Sequence, residues 1–145
     1  MEPLTRSTFY LDSNIFIYFL AEGSSWVQPV RSLLELGQRG QVSLVTGEAA
    51  VAEVMVGAYR ASDARAVRAT RALFNPDLVT VLGHDHEVFL RAAHIRATVG
   101  GLLIDALHVA TAMAAGCDAV ISHDARMPKL PEMPVLRLDQ LELGE

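Results

Sequence analysis

The stretch Phe9-Tyr10-Leu11-Asp12-Ser13-Asn14-Ile15-Phe16-Ile17-Tyr18 decides how the rest of the chain reads. It opens as a short apolar run rich in aromatics, the composition of a buried strand. Three small polar residues follow, Asp12-Ser13-Asn14, of the kind that cap helices and make turns. A second apolar run begins at once. Strand, tight turn and helix are the expected order, with Asp12 at the carboxyl end of the strand. In open α/β sheets that edge is where ligands bind.

Downstream, apolar strands alternate with helical patterns. Residues 15–20 are expected as a short buried helix, broken by Glu22-Gly23-Ser24-Ser25. Pro29 fits the first turn of a helix running to about Gln38. Val42-Ser43-Leu44-Val45 alternates as a second strand. Thr46 is expected to cap a helix over 47–59, and Ser62 another reaching about Phe74, which Asn75-Pro76 ends. A third strand is expected over 78–82. Residues 84–99 read as an amphipathic helix with Val88, Ala92, Ile95 and Val99 on one face. Residues 102–115 form a nearly uncharged and therefore buried helix, stopped by Gly116. Residues 118–122 give a fourth strand, and 135–138, after Pro134, a short fifth at an edge. The alternation implies a parallel sheet covered on both faces.

With 145 residues, 51% hydrophobic and 20% charged, the chain is expected to be one globular domain over 1–145. No uncharged apolar segment reaches the ~18 residues that span a bilayer. Met1-Glu2-Pro3-Leu4-Thr5-Arg6 lacks a basic start followed by an apolar core, so a cytoplasmic location without membrane contact is expected. Cys117 is the only cysteine, which rules out an internal disulfide and a cysteine zinc cluster and points to a buried inert thiol. The net charge of −5 argues at first against a nucleic-acid partner. If four of the seventeen acids hold a cation, thirteen remain against twelve Lys and Arg, so the remaining surface is near neutral.

Four acids stand among apolar neighbours, where acids are rare. Glu53 has Ala49, Ala50, Val56 and Gly57 three and four residues away, none able to pair with it. Asp105 has Gly101, Leu102, His108 and Val109. Burying either carboxylate unpaired costs several kcal/mol (roughly) or forces it neutral. Asp12 and Asp124 each follow an apolar strand, so they can lie side by side at the carboxyl edge of the sheet. Close like charges repel, and a shared divalent cation resolves the conflict. All-oxygen ligation suits Mg2+ or Mn2+ rather than zinc. Such a cation suits phosphodiester hydrolysis by a water whose pKa it lowers. Each residue also admits a plainer role. Asp12 can be a helix cap, as can Asp105 if its helix starts late. Glu53 can reach an edge or a distant arginine, and Asp124 can simply belong to a turn.

Leu11-Asp12-Ser13-Asn14, Thr46-Gly47-Glu48-Ala49-Ala50-Val51-Ala52-Glu53-Val54, Asp105-Ala106-Leu107-His108-Val109-Ala110-Thr111-Ala112 and Val120-Ile121-Ser122-His123-Asp124 are the segments by which the chain resembles PIN-domain nucleases. The resemblance is specifically to the VapC-type toxins of bacterial toxin–antitoxin pairs. It implies a three-layer α/β/α sandwich with a central parallel sheet, and Mg2+- or Mn2+-dependent endoribonuclease activity. Asp12, Glu53, Asp105 and Asp124 would be the acidic quartet, both catalytic and metal-holding. Ser13 and Asn14 match the polar residues after the first acid. Ser122 stands where the family usually has threonine, so its hydroxyl is expected to support the acids by hydrogen bonding. The resemblance also implies a homodimer, an RNA substrate and a cognate antitoxin docked in an apolar groove between the early helices. Tyr18, Phe19, Trp26 and Leu33 are candidates to line it.

Arg126, two residues past Asp124, is placed to meet a scissile phosphate. Arg60, Arg65, Arg68 and Arg71 form a stripe that reads as a solvated face, with RNA contact as the sharper alternative. His84-Asp85-His86 reads as a helix-start cluster rather than a metal site, and His123 falls at a variable position; His108, one turn from Asp105, either supports the acids or is an ordinary core histidine, the latter reading being preferred. No catalytic histidine stands out, so the expected nucleophile is water. The alternative function is a catalytically silent PIN-like module that binds RNA or protein; four retained acids count against it. A haloacid-dehalogenase phosphatase would need an acid at position 14, which is Asn, and a receiver domain would need a lysine after a late strand, which Lys129 does not supply. No glycine-rich phosphate loop is present.

Overall fold

The computed structural model describes residues 6–141. Among them lie five strands: β1 (Ser7–Leu11), β2 (Val42–Gly47), β3 (Thr80–Leu82), β4 (Ala119–Ile121) and β5 (Val135–Leu136). All pair in parallel, in the order β3-β2-β1-β4-β5. Six helices connect and cover them: α1 (Ser13–Leu20), α2 (Val27–Gln38), α3 (Glu48–Arg60), α4 (Ala64–Ala72), α5 (His86–Thr98) and α6 (Leu103–Ala114). A 3-10 turn, Leu138–Gln140, follows β5. None of the described helices is long and apolar enough to cross a membrane.

β1 is central because its residues are apolar on both faces. Successive strand residues point to opposite sides. Tyr10 therefore joins a core with Val88, Ala92 and Ile95 of α5 and with Ala106, Val109 and Ala110 of α6. Leu11 joins a second core with Ile15 and Phe16 of α1, Val30 and Leu33 of α2, and Val54 of α3. Two cores on two faces of one sheet make the three-layer α/β/α arrangement. Burying the most central side chains, Tyr10, Leu11, Ile15 and Phe16, contributes about 1.5–3 kcal/mol each.

The expected elements form, with shifts at their ends. Thr46 does not cap α3: it is the fifth residue of β2, and its hydroxyl donates to the Leu11 carbonyl at 2.7 Å. The cap position falls to Gly47. Ser62 does not cap α4 either. It takes a left-handed φ of 53° in the preceding turn, and the Asp63 carboxylate accepts from Arg65 N–H instead. The third strand is shorter than expected because Leu78 and Val79 turn back on the Asn75 carbonyl. Val99 lies past the end of α5 and is exposed, whereas Val88, Ala92 and Ile95 are buried as expected. Leu33 is fully buried in the core and lines no groove. Cys117 is buried, and desolvation pushes its thiol up to about 11.

Candidate metal centre

β1 and β4 pair with Leu11 opposite Ile121, so Asp12 and Ser122 emerge side by side one step beyond. Asp12 caps α1 and is buried. Its Oδ1 accepts from Ser13 N–H at 2.8 Å and its Oδ2 from the Ser122 hydroxyl at 2.7 Å. One oxygen of this carboxylate is thus committed to the helix cap and the other to Ser122. Ser122 Oγ also accepts from the Asn14 amide at 3.3 Å and from Asp124 N–H at 3.0 Å. A single hydroxyl therefore ties the first acid, the polar pair after it and the loop of the last acid together. Asn14 Oδ1 in turn accepts from His123 N–H at 3.4 Å.

The other acids arrive on helices and a loop. α3 brings Glu53 to the same edge, where its Oε1 lies 2.7 Å from His108 Nε2. The first turn of α6 brings Asp105, which is 5% exposed and whose Oδ2 has no hydrogen-bond partner. Burial lifts the Asp105 carboxyl to about 6, and the charges of Asp12, Asp124 and Glu53 add to the lift. Desolvation likewise raises Asp12 above the usual carboxylate range, opposed by His108 and Ser122. Asp124 is held below that range by Arg126, whose Nε donates to Asp124 Oδ1 at 3.1 Å. That guanidinium is largely exposed. Two like carboxylates raised by burial, with an orphaned buried oxygen between charged neighbours, are the donor set a hard divalent cation satisfies.

The tightest cluster among the described residues is Asp12, Glu53 and His108, whose donor atoms lie within 4.8 Å of one another. Asp105 and Asp124 are coupled to it electrostatically without joining that spacing. His108 is a core histidine that also reaches the acids. It is fully buried, and its Nδ1 sits 2.7 Å from the Tyr10 hydroxyl. The signal was present in the periods: Tyr10 shares a strand face with Asp12 two residues on, and His108 is one helical turn from Asp105. His84 lies just before α5 and bonds elsewhere. Its Nε2 accepts from Ala49 N–H at 3.0 Å, and its Nδ1 meets the Thr111 hydroxyl at 2.7 Å. A side chain remote in sequence thus caps α3, where Gly47 cannot. Gly47 is needed because a Cβ there would sit 2.6 Å from both His84 Cε1 and Tyr10 Oη.

The remaining candidates lie further out. Tyr18 and Trp26 pack edge-on against His123, with Trp26 4.2 Å away between ring centroids. Phe19 lies under Arg31. Arg60, Arg65, Arg68 and Arg71 are exposed on α3 and α4. A groove of about 920 Å3 runs between α5, α6 and the 130–133 loop and contains none of the four acids.

With this sheet order and this edge of acids, the chain belongs to the PIN-domain family, whose sequence model matches residues 9–133. No curated protein sequence matches it. Solved structures share its fold at low identity. The VapBC2 complex from Rickettsia felis, bound to a promoter DNA fragment, aligns with TM-score 0.72 and 13% identity over 90% of this chain and 98% of that one. FitAcB from Neisseria gonorrhoeae aligns with TM-score 0.71 and 19% identity over 92% and 99%. VapC20 from Mycobacterium tuberculosis, a sarcin–ricin-loop-cleaving toxin, aligns with TM-score 0.67 and 15% identity over 82% and 92%.

Proposed function

We propose that the protein is a divalent-cation-dependent endoribonuclease, the toxin of a type II toxin–antitoxin pair of the VapC kind. The observation that carries the proposal is the convergence of Asp12, Glu53, Asp105 and Asp124 on one sheet edge, with Asp105 Oδ2 buried and unpartnered. Membership of the PIN-domain family and the likeness to toxin structures support it.

Asp12, Glu53, Asp105 and Asp124 would hold Mg2+ or Mn2+. The bound ion supplies Lewis-acid charge for the phosphoryl oxygens and lowers the pKa of a water. Ser122 and Ser13 N–H fix both oxygens of Asp12, so that this carboxylate does not reorient on binding. Asn14 and Ser122 hold the Asp124 loop against β4. Arg126, exposed beside Asp124, is placed to contact a backbone phosphate. Water serves as the nucleophile, since the Ser122 hydroxyl beside Asp12 is buried and holds that carboxylate in place.

The antitoxin surface is read from exposed apolar side chains. Ile17 and Leu20 of α1 and Val56 and Tyr59 of α3 are exposed on two helices that pack together. They suit the apolar tail of an antitoxin. Phe89 and Leu90 of α5 and Leu102 and Leu103 at the start of α6 are exposed as well, which supports a homodimer. The cytoplasm, where RNA and antitoxin meet, is the proposed location.

The test is cleavage of a total small-RNA pool by purified, antitoxin-free protein with Mg2+, with Mn2+ and with EDTA, alongside Asp12→Asn. Discrete fragments that require the ion and vanish in the variant are expected. Cleavage that persists in Asp12→Asn overturns the site assignment. No cleavage by folded protein favours the silent binding module.

A further inference from the structure

We infer that His108 is a positioning residue for Glu53: a buried Tyr10–His108–Glu53 chain of hydrogen bonds holds the Glu53 carboxylate in the cation-binding arrangement. The inference rests on the cation site proposed above and assigns a role to a residue outside the four acids.

Three observations carry it. First, the distances are short at both ends of the imidazole: 2.7 Å from Nε2 to Glu53 Oε1 and 2.7 Å from Nδ1 to Tyr10 Oη. Second, an ionised Glu53 and a neutral ring together set the directions. An ionised carboxylate only accepts, so Nε2 carries the proton given to Glu53. In the neutral ring Nδ1 then accepts, and the Tyr10 hydroxyl donates to it. The neighbouring Thr46 hydroxyl commits its own proton to the Leu11 carbonyl. Tyr10, as a phenol, is neutral and able to donate at neutral pH. Third, Glu53 needs an anchor where Asp12 and Asp124 do not. Its side chain is 31% exposed, whereas His108 is fully buried. Asp12 is fixed by Ser13 N–H and Ser122, and Asp124 by its own turn with Arg126. For Glu53 the only hydrogen bond found among the described residues is the one from His108.

Without that bond, repulsion from Asp12 and Asp105 would drive the flexible Glu53 side chain towards water. The imidazole therefore keeps a ligand preorganised against the field of its neighbours. It does so from inside the core, where Tyr10 fixes the ring's tautomer and orientation. Hydrogen-bonding partners of metal ligands typically change metal affinity by about 10–100-fold when removed.

The experiment measures Mn2+ affinity by calorimetry on wild type, Asp12→Asn, His108→Leu, His108→Gln, Tyr10→Phe and the Tyr10→Phe/His108→Gln pair. Nitrogen-15 NMR of the imidazole, without ion and with diamagnetic Mg2+, accompanies it. His108→Leu is expected to weaken Mn2+ binding by about 10-fold or more. His108→Gln, whose amide can donate from the same place, is expected to recover most of that loss. Tyr10→Phe should weaken binding in the histidine background and have little effect in the glutamine one. The ring should show Nε2 protonated in both NMR states. Unchanged Mn2+ affinity in folded His108→Leu, with Asp12→Asn still defective, overturns the role of His108 and leaves the cation site standing. A proton lost from Nε2 when Mg2+ binds makes His108 a direct ligand and also overturns it. If His108→Leu fails to fold, additive effects in the Tyr10/His108→Gln pair do the same. Wild type that takes up no Mn2+ overturns the cation site itself, and the inference with it.

Discussion

Asp105 carries the conflict at this site most openly. It lies in the first turn of α6, where a carboxylate is favoured by the helix dipole, yet it is buried beside three other acids. Its pKa rises from 3.8 to about 6 on folding, so the folded chain keeps a proton that the unfolded chain releases between those values. Stability of the ion-free protein contributed by this group therefore falls as pH rises from about 4 to 6. Asp105→Asn removes the effect at nearly constant volume. Its melting temperature relative to wild type is expected to climb across that window, reaching an advantage on the order of 2 kcal/mol at neutral pH. A difference that does not change with pH would place Asp105 in a structural cap. The sequence showed this residue by its apolar neighbours alone. It placed His108 one turn from Asp105 but did not show its partners, because Tyr10 and Glu53 are 98 and 55 positions away.

Helix α3 is aimed by its first turn. Ala49 N–H would be an orphan donor behind Gly47, and His84 Nε2 satisfies it from the start of α5. Thr111 on α6 receives the other side of the same ring. Three helices are thereby fixed at one point, and Glu53 lies one further turn along α3. Desolvation holds His84 below its usual pKa, so folding favours the neutral ring. The contribution is fully present above about pH 6.5 and is lost as the pH falls below it. His84→Ala is expected to cost about 1 kcal/mol at pH 7.5 and visibly less at pH 5, by urea melts. An equal cost at both values would mean that the ring acts only by packing. Local propensity favoured Thr46 as the cap, as its residue type does in general. Tertiary pairing overrode it: β2 extends through Gly47 to pair with β3, and Thr46 is spent on the sheet.

Across the whole molecule, the acids are the part of the fold that works against folding. Two apolar cores lie one on each face of the sheet, and the buried acids Asp12 and Asp105 lie at one edge of it. A cation bound there couples to global stability by mass action, by about 2.7 kcal/mol at a hundredfold excess over Kd. For a chain of 145 residues that corresponds to a rise in melting temperature of roughly 5–10 °C. Mn2+ is expected to give such a rise in wild type and a much smaller one in Asp12→Asn, by differential scanning calorimetry. Equal shifts in both proteins would locate the binding elsewhere.

The order of strands and helices, the parallel sheet and the four acids were legible in the chain itself. Each rests on local pattern: apolar runs of strand length, helical periods, and carboxylates among residues that cannot pair with them. Ser122 was legible through the family resemblance, as a hydroxyl two residues before the last acid. What only the tertiary structure decided is how these pieces meet. It joined Asp12, Asn14 and Asp124 through Ser122, gave α3 its cap from His84, and turned His108 from core filler into the partner of Glu53. The physical reason is that a hydrogen bond between remote residues depends on distance and direction in the folded chain, and neither composition nor period records these.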